Sequence, residues 1–298
     1  MPASLPPIRH DGVRESTVNL AGFSTRVLEV DGDGPALVLL HGFSDSADTW
    51  RALLELLRSA GRRAIAIDLP GFGDADAARA GAVFPQFEAV VVEAMALARG
   101  PSELAPVLVG NSMGGAVALY VANRHSQGLS GAVPVCSAGI AHPLWVHAIA
   151  TPGLRLVVPV LAARPLRHLL GWPLERLVAA TRSVHVSEHL PRHLGHLSCL
   201  RLAHHISIVR RLLGEEPYPL DTASITCPLM FVWGSDDRVV GSQSSRLNLL
   251  RLSRQVPGSR TEVLSGCGHV PQLEMPDRLL ALIEDFSPAI APRERRAS

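Results

Sequence analysis

"LVGNSMGGAVAL", residues 108–119, places Ser112 between two glycines where an apolar run gives way to a helix-like pattern. Two readings compete for that serine: a nucleophile held on a tight turn, or a small residue filling a crowded strand-to-helix corner. The pentapeptide "GNSMG" fits G-x-S-x-G, with Gly110 and Gly114 two residues either side of Ser112. The spacing has a mechanical reason, because glycines at those positions let strand and helix approach without a Cβ clash. A lone hydroxyl is a weak nucleophile, so the first reading needs a base, an orienting acid and an oxyanion site elsewhere in the chain.

Working outward, short apolar runs alternate with longer helix-favouring segments. That pattern predicts an α/β fold with a mostly parallel central sheet and flanking helices. Residues 16–20 and 24–30, either side of "AGF", read as an antiparallel hairpin at the sheet edge. "ALVLL" (36–40), "VLVG" (107–110), "GAVPVCS" (131–137), "LMFVWG" (229–234) and "RTEVL" (260–264) read as further strands, and "RRAIAIDLPGFG" (62–73) as a strand running into a Gly-rich loop. Helices are expected over 50–61, stopped by Gly61, over 84–100, and after the serine. Residues 139–220 break the rhythm: no convincing strand, but Leu/Val/Arg/His segments punctuated by Pro and Gly. They are expected to form a helical cap inserted into a core of 1–138 and 221–292, with 293–298 as a disordered tail.

The base should come from another strand end, where open α/β sheets hold their chemistry. His269, in the Gly-flanked loop "SGCGHVPQLEMP" after the last predicted strand, is the candidate among 13 histidines. For the acid, "WGSDD" offers Asp236 and Asp237 after a strand, while 137–174 contains no carboxylate. The second oxyanion donor, beside the amide of Met113, is expected to be the amide of Phe43 in "HGFS", with Gly42 allowing close approach. His41 reads as fixing that loop, or as a substrate contact together with Gly42 and Trp145.

Composition restricts the alternatives. A formal charge of +1 gives no footprint for nucleic acid, and 4% aromatic content gives no stacking platform. All 28 basic residues are arginine, which removes Schiff-base chemistry for want of a lysine amine. The four cysteines lack metal or disulfide spacing, and "MPASLPPIRHDG" has no apolar signal core, so a reduced, cytoplasmic setting is expected. The longest apolar stretch is too broken by Pro and Arg for stable membrane insertion. His185, His189, His193 and His196 come near metal-ligand spacing, but Pro191 interrupts it, and they read instead as amphipathic cap surface. His204 and His205 carry no stronger signal. The apolar segment 144–166, with Trp145 and Trp172 nearby, reads as cap packing or as lining for a lipophilic ligand.

Taken together, "HGF", "DLPGFG", "GNSMGG", "WGSDD" and "GCGHVPQLE" resemble, in order, the blocks of the α/β-hydrolase superfamily. The resemblance covers essentially the whole chain and looks most like capped serine esterases, lipases and meta-cleavage carbon–carbon hydrolases. It implies Ser112, Asp237 and His269 as catalytic triad, with Asp237 chosen over Asp236 by its distance from Gly234. It implies no metal and no organic cofactor. An aspartate nucleophile, as in epoxide hydrolases and haloalkane dehalogenases, is not at position 112. Relatives often carry serine after "GFG" where this chain has Asp74. The expected function is hydrolysis of a small or medium lipophilic carboxylic ester. Carbon–carbon hydrolysis, perhydrolase and thioesterase variants, and a non-catalytic ligand-binding protein are the alternatives. Nothing in the sequence sets an oligomeric state.

Overall fold

The computed structural model describes residues 12–99, 104–138, 179–180, 183–189, 199–215, 221–240 and 243–286. Its centre is an eight-stranded sheet in the order β1-β2-β4-β3-β5-β6-β7-β8. The strands are β1 (Arg14–Leu20), β2 (Phe23–Val30), β3 (Asp33–Leu40), β4 (Arg62–Ile67), β5 (Val107–Asn111), β6 (Gly131–Val135), β7 (Met230–Gly234) and β8 (Arg260–Leu264). The hairpin β1–β2 is antiparallel and lies at one edge, as its sequence predicts, and β2 also runs antiparallel to β4. Every pairing from β4 through β3 to β8 is parallel.

The helices among the described residues are α1 (Arg51–Ser59), α2 (Phe84–Arg99), α3 (Met113–His125), α4 (184–189), α5 (Cys199–Gly214), α6 (Gln243–Gln255), α7 (Pro271–Glu274) and α8 (Pro276–Phe286). α1 packs against α8, and α2 against α3. Helices on both faces explain why β3 and β5 read as continuous apolar runs: Leu37, Val38, Leu39 and Leu40 are all fully buried. Burying each such side chain contributes about 1.5–3 kcal/mol relative to exposure. In α1, Leu53, Leu54 and Leu57 form the buried stripe, and Gly61 at φ 68° supplies the left-handed stop.

Parallel strands end on the same side, so the loops after β3, β5, β6, β7 and β8 gather at one rim of the sheet. Residues of α4 and α5, from the segment between β6 and β7, both contact the loop after β3. The core boundaries around 139 and 220, the segment 144–166 with Trp145 and Trp172, His193, His196 and the tail 293–298 lie outside the described residues. Among the described residues no helix is long and apolar enough to cross a membrane. Cys136, Cys227 and Cys267 are free, buried thiols.

Candidate active site

β5 delivers Ser112 into a strained turn. The residue sits at φ 54° and ψ −115° and caps the N-terminus of α3. A non-glycine residue with positive φ is uncommon, and such strain concentrates at functional sites. The surrounding glycines are required sterically: a Cβ on Gly110 would lie 2.1 Å from the Gly114 carbonyl oxygen, and one on Gly114 would lie 2.3 Å from that of Leu40. The turn is closed by the Ser112 amide donating to Val135 O at 2.9 Å and by Ala138 N donating to Ser112 O at 2.9 Å.

A second glycine contact joins the acid and base loops. A Cβ on Gly234, the last residue of β7, would stand 2.0 Å from Gly268 O. This close approach brings Asp237 to His269, whose Nδ1 lies 3.0 Å from Asp237 Oδ2. Asp237 Oδ1 accepts from the amides of Val239 at 2.8 Å and Val240 at 3.1 Å. Burial by itself would raise this carboxyl, but the hydrogen bond from His269, its charge and the two amides outweigh it and hold Asp237 below the ordinary carboxylate range. Asp236 is exposed and is not the carboxylate that reaches His269.

The serine and histidine loops are tied through Asn111, whose Nδ2 donates to His269 O at 2.9 Å and to Val135 O at 3.3 Å. Among the described residues the Ser112 hydroxyl forms no hydrogen bond, so Ser112 and His269 are not directly linked here. Such links often tighten only when substrate is bound.

The loop after β3 runs directly beside the elbow. A Cβ on Gly42 would be 3.4 Å from Ser112 Cβ and 3.3 Å from Asn111 Oδ1. Among the described residues neither the Phe43 nor the Met113 amide donates to a protein acceptor, and the latter is one of the orphan amides of a helix N-terminus. His41 is fully buried, with Nδ1 2.7 Å from Gly42 O and Nε2 accepting from Leu69 N at 3.0 Å. Both ring nitrogens are therefore used by backbone. Of the two roles read from the sequence, loop fixing is the one its contacts serve.

Several residues near the site carry no sequence signal strong enough to single them out. Cys136, at the end of β6 with φ 44°, accepts from Gly234 N at 3.4 Å. Its Sγ, an Asp237 oxygen and a His269 nitrogen lie within 4.8 Å of one another, with the latter two bonded to each other. Burial and the adjacent Asp237 carboxylate push the Cys136 thiol well above its usual value, so it is held protonated. Glu274 accepts from Gly268 N at 3.0 Å and Val270 N at 3.3 Å, gripping the backbone on both sides of His269. Its position five residues after the histidine is visible in "HVPQLE", but its backbone partners are not. His189 and His205 correct the reading of these histidines as cap surface or bland positions: they are only 8% and 5% exposed, because each finds a polar partner in the loop after β3.

With this geometry in place, the family can be assigned. A family model described as "Alpha/beta hydrolase family" matches residues 37–282. The chain belongs to the alpha/beta hydrolase family. This alpha/beta hydrolase is 29% identical over 263 residues to a pimeloyl-[acyl-carrier protein] methyl ester esterase of Aeromonas hydrophila, covering 86% of this chain and 96% of that protein. It is 28% identical over 285 residues to a 2-hydroxymuconate semialdehyde hydrolase of Pseudomonas putida, covering 89% and 91%. Among solved structures, a bacterial membrane phospholipase A superposes with a TM-score of 0.74 at 25% identity, covering 92% of this chain and 86% of that one. The hydrolase fold expected from the sequence is thus the fold observed.

Proposed function

We propose that this alpha/beta hydrolase is a serine hydrolase of small or medium lipophilic carboxylic esters. The observation that carries the reading is Ser112 at φ 54°, heading α3, with the Asp237-bound His269 on a loop tied to the same turn by Asn111. His269 takes the Ser112 proton through Nε2 while Asp237 holds Nδ1–H and stabilises the imidazolium. Ser112 Oγ then adds to the ester carbonyl, and the amides of Phe43 and Met113, without an acceptor among the described residues, receive the oxyanion. Collapse expels the alcohol, which takes the proton from His269 and leaves an acyl-Ser112. Water, deprotonated by His269, attacks that acyl group; the acyl–Oγ bond breaks, the acid leaves and His269 returns the proton to Ser112 Oγ. Residues 139–220 form the cap in this reading. The mechanism calls for no metal or organic cofactor.

A second reading has specific support in the 2-hydroxymuconate semialdehyde hydrolase relative: carbon–carbon cleavage with the same three residues.

The test is hydrolysis of p-nitrophenyl esters, acetate through long-chain acyl, by wild type and Ser112→Ala. Wild-type turnover reduced about 10⁴-fold or more by the substitution is the expected result. Equal rates in the two proteins would overturn the assignment of Ser112. No wild-type turnover on esters, with cleavage of a vinylogous 1,5-diketone instead, would replace ester hydrolysis by the second reading. Binding of either compound without turnover would leave a ligand-binding protein.

A further inference from the structure

We infer that His189 and His205, both from the cap, are positioning residues for the oxyanion hole. The inference rests on the serine-hydrolase reading above and concerns the loop 41–46, which carries the Phe43 amide. His41 fixes the start of that loop through Gly42 O at 2.7 Å, but the turn after Phe43 is closed only by Asp45 N donating to Gly42 O at a long 3.3 Å, and Ser44 stands at φ 59°. The two residues immediately after Phe43 are instead gripped from outside. Ser44 Oγ lies 3.0 Å from His205 Nδ1, and Asp45 Oδ1 lies 2.8 Å from His189 Nε2. These partners are 161 and 144 residues away in the chain.

The aromatic contacts act at the same point. The Phe43 ring meets His205 edge-on at 5.8 Å and Phe72 edge-on at 5.7 Å, while His205 and Phe72 lie 4.9 Å apart. So His205 fixes both the side chain of Phe43 and the hydroxyl of its neighbour. The Asp45–His189 pair is mostly buried, with side-chain exposures of 15% and 10%, where a hydrogen bond is stronger and more directional than at the surface. The Asp45 oxygen that meets His189 also accepts from Ser46 N at 2.8 Å, so the histidine acts on a carboxylate already ordered by its own backbone.

The cap segment around His189 also reaches the base. Val186 packs with Val270 and Leu273, just beyond His269, and Ala180 N donates to Glu274 Oε2 at 2.8 Å. One strap of cap residues thus spans the base loop and the oxyanion loop. Gluing the cap to the core would account for some of these contacts, but glue has no reason to converge on the two residues that follow a putting-in-place amide. An oxyanion donor must sit within a few tenths of an ångström of where charge develops, and displacing it costs rate rather than substrate affinity.

The test uses full-length His189→Ala and His205→Ala, with His189→Gln and His205→Asn as conservative partners. Gln presents a polar atom near the place of Nε2, and Asn one near the place of Nδ1. Melting temperatures establish that each variant is folded. Turnover of the best p-nitrophenyl ester is compared with inhibition by an alkyl trifluoromethyl ketone, whose adduct on a serine is a tetrahedral oxyanion. The expected result is a kcat about 10-fold lower or more in each alanine variant with KM within about threefold, a parallel weakening of the ketone, and substantial recovery in the Gln and Asn variants. Wild-type kcat and ketone affinity in folded alanine variants would overturn the inference, as would Gln and Asn variants no better than Ala. Ser112→Ala run alongside separates the two levels. If it is inactive while the histidine variants behave as wild type, only the positioning role falls; if it keeps wild-type activity, the serine-hydrolase reading falls first.

Discussion

Asp68 and Asp237 are both buried aspartates that follow parallel strands, yet their surroundings give them opposite meanings. Asp68, after β4, is 0% exposed and accepts from Arg26 Nε at 2.9 Å, Ala47 N at 2.7 Å and Asp74 N at 2.8 Å. Its partners are a guanidinium that stays charged and two amides that stay put. A Cβ on Gly73 would stand 2.3 Å from its carboxyl carbon, so the glycine of "PGFG" is needed to fold the loop over it. Asp74, the residue that follows "GFG", enters the same network, its carboxylate 3.6 Å from Arg26. Asp237, 6% exposed, accepts two amides but gives its other oxygen to a histidine, whose protonation can change during a reaction. Burial of a carboxylate is therefore no functional signal by itself. The nature of the partner is.

The sharpest way to break this comparison is to neutralise Asp237. Asp237→Asn keeps the shape and can still accept from Val239 and Val240, but it removes the acceptor that fixes the His269 tautomer. The expected loss in kcat is about 10³–10⁴-fold, with unfolding free energy changed by no more than about 2 kcal/mol. Ester kinetics and urea titration measure the two quantities. A variant with near wild-type kcat would remove Asp237 from the proposed relay.

The mirror substitution, Asp68→Ala, should do the reverse. It strands the amides of Ala47 and Asp74 and removes one carboxylate from Arg26, although Asp48 remains 2.9 Å from Arg26 Nη2. Stability should fall by about 3–5 kcal/mol, the range for breaking a buried pair on one side, while the folded enzyme keeps kcat within about tenfold. If denaturant midpoints stay unchanged and kcat collapses, the contrast drawn here between the two aspartates is wrong.

Between these extremes lies the glycine that joins the acid and base loops. Gly234→Ala puts a methyl group where Gly268 O and Cys267 O already stand, at 2.0 and 2.5 Å, and backbone cannot swing aside as a flexible side chain can. The shift should cost about 1–3 kcal/mol of stability and about 10–100-fold in kcat through a displaced His269. Wild-type behaviour in both assays would mean that the two loops have slack.

Much of this was legible in the sequence, for reasons that differ by residue. The inner parallel strands were readable because strands covered on both faces must be apolar runs, and the hairpin was marked by its break at Ala21–Gly22, while the edge strand β8, partly exposed, was marked by its short β-branched stretch before a glycine turn. Gly110, Gly114 and Ser112 were readable because the steric demand is local to five residues. Asp237 was not separable from Asp236 by residue type alone; only the resemblance chose it, and the close approach at Gly234 gives the physical reason. α6 (Gln243–Gln255) went unread, with Leu247 49% exposed and no clean apolar stripe to announce it. α8 carried ordinary signals, Pro276 at its start and the buried Leu279–Ile283 pair one turn apart, at the end of a stretch read only as core. The roles of His189 and His205 were out of reach, because a histidine's burial depends on a partner supplied from a distant part of the chain.

Acid titration gives the smallest and most discriminating effect. The Asp237 carboxyl is held below its ordinary range in the folded protein, while in the unfolded chain it titrates near the ordinary aspartate value of about 3.9. The unfolded state therefore takes up this proton first as pH falls. The stability contributed by the ionised form is fully present above about pH 4 and is lost as pH drops towards the folded-state value. Asp237→Asn carries no such proton, so its stability curve should be flatter than that of wild type below about pH 4, and the gap between the two should narrow on acidification. Urea midpoints of both proteins at pH 3 to 6 measure that gap. A gap that stays constant would mean that Asp237 has the same proton affinity folded and unfolded, and the contrast with Asp68 would then rest on kinetics alone.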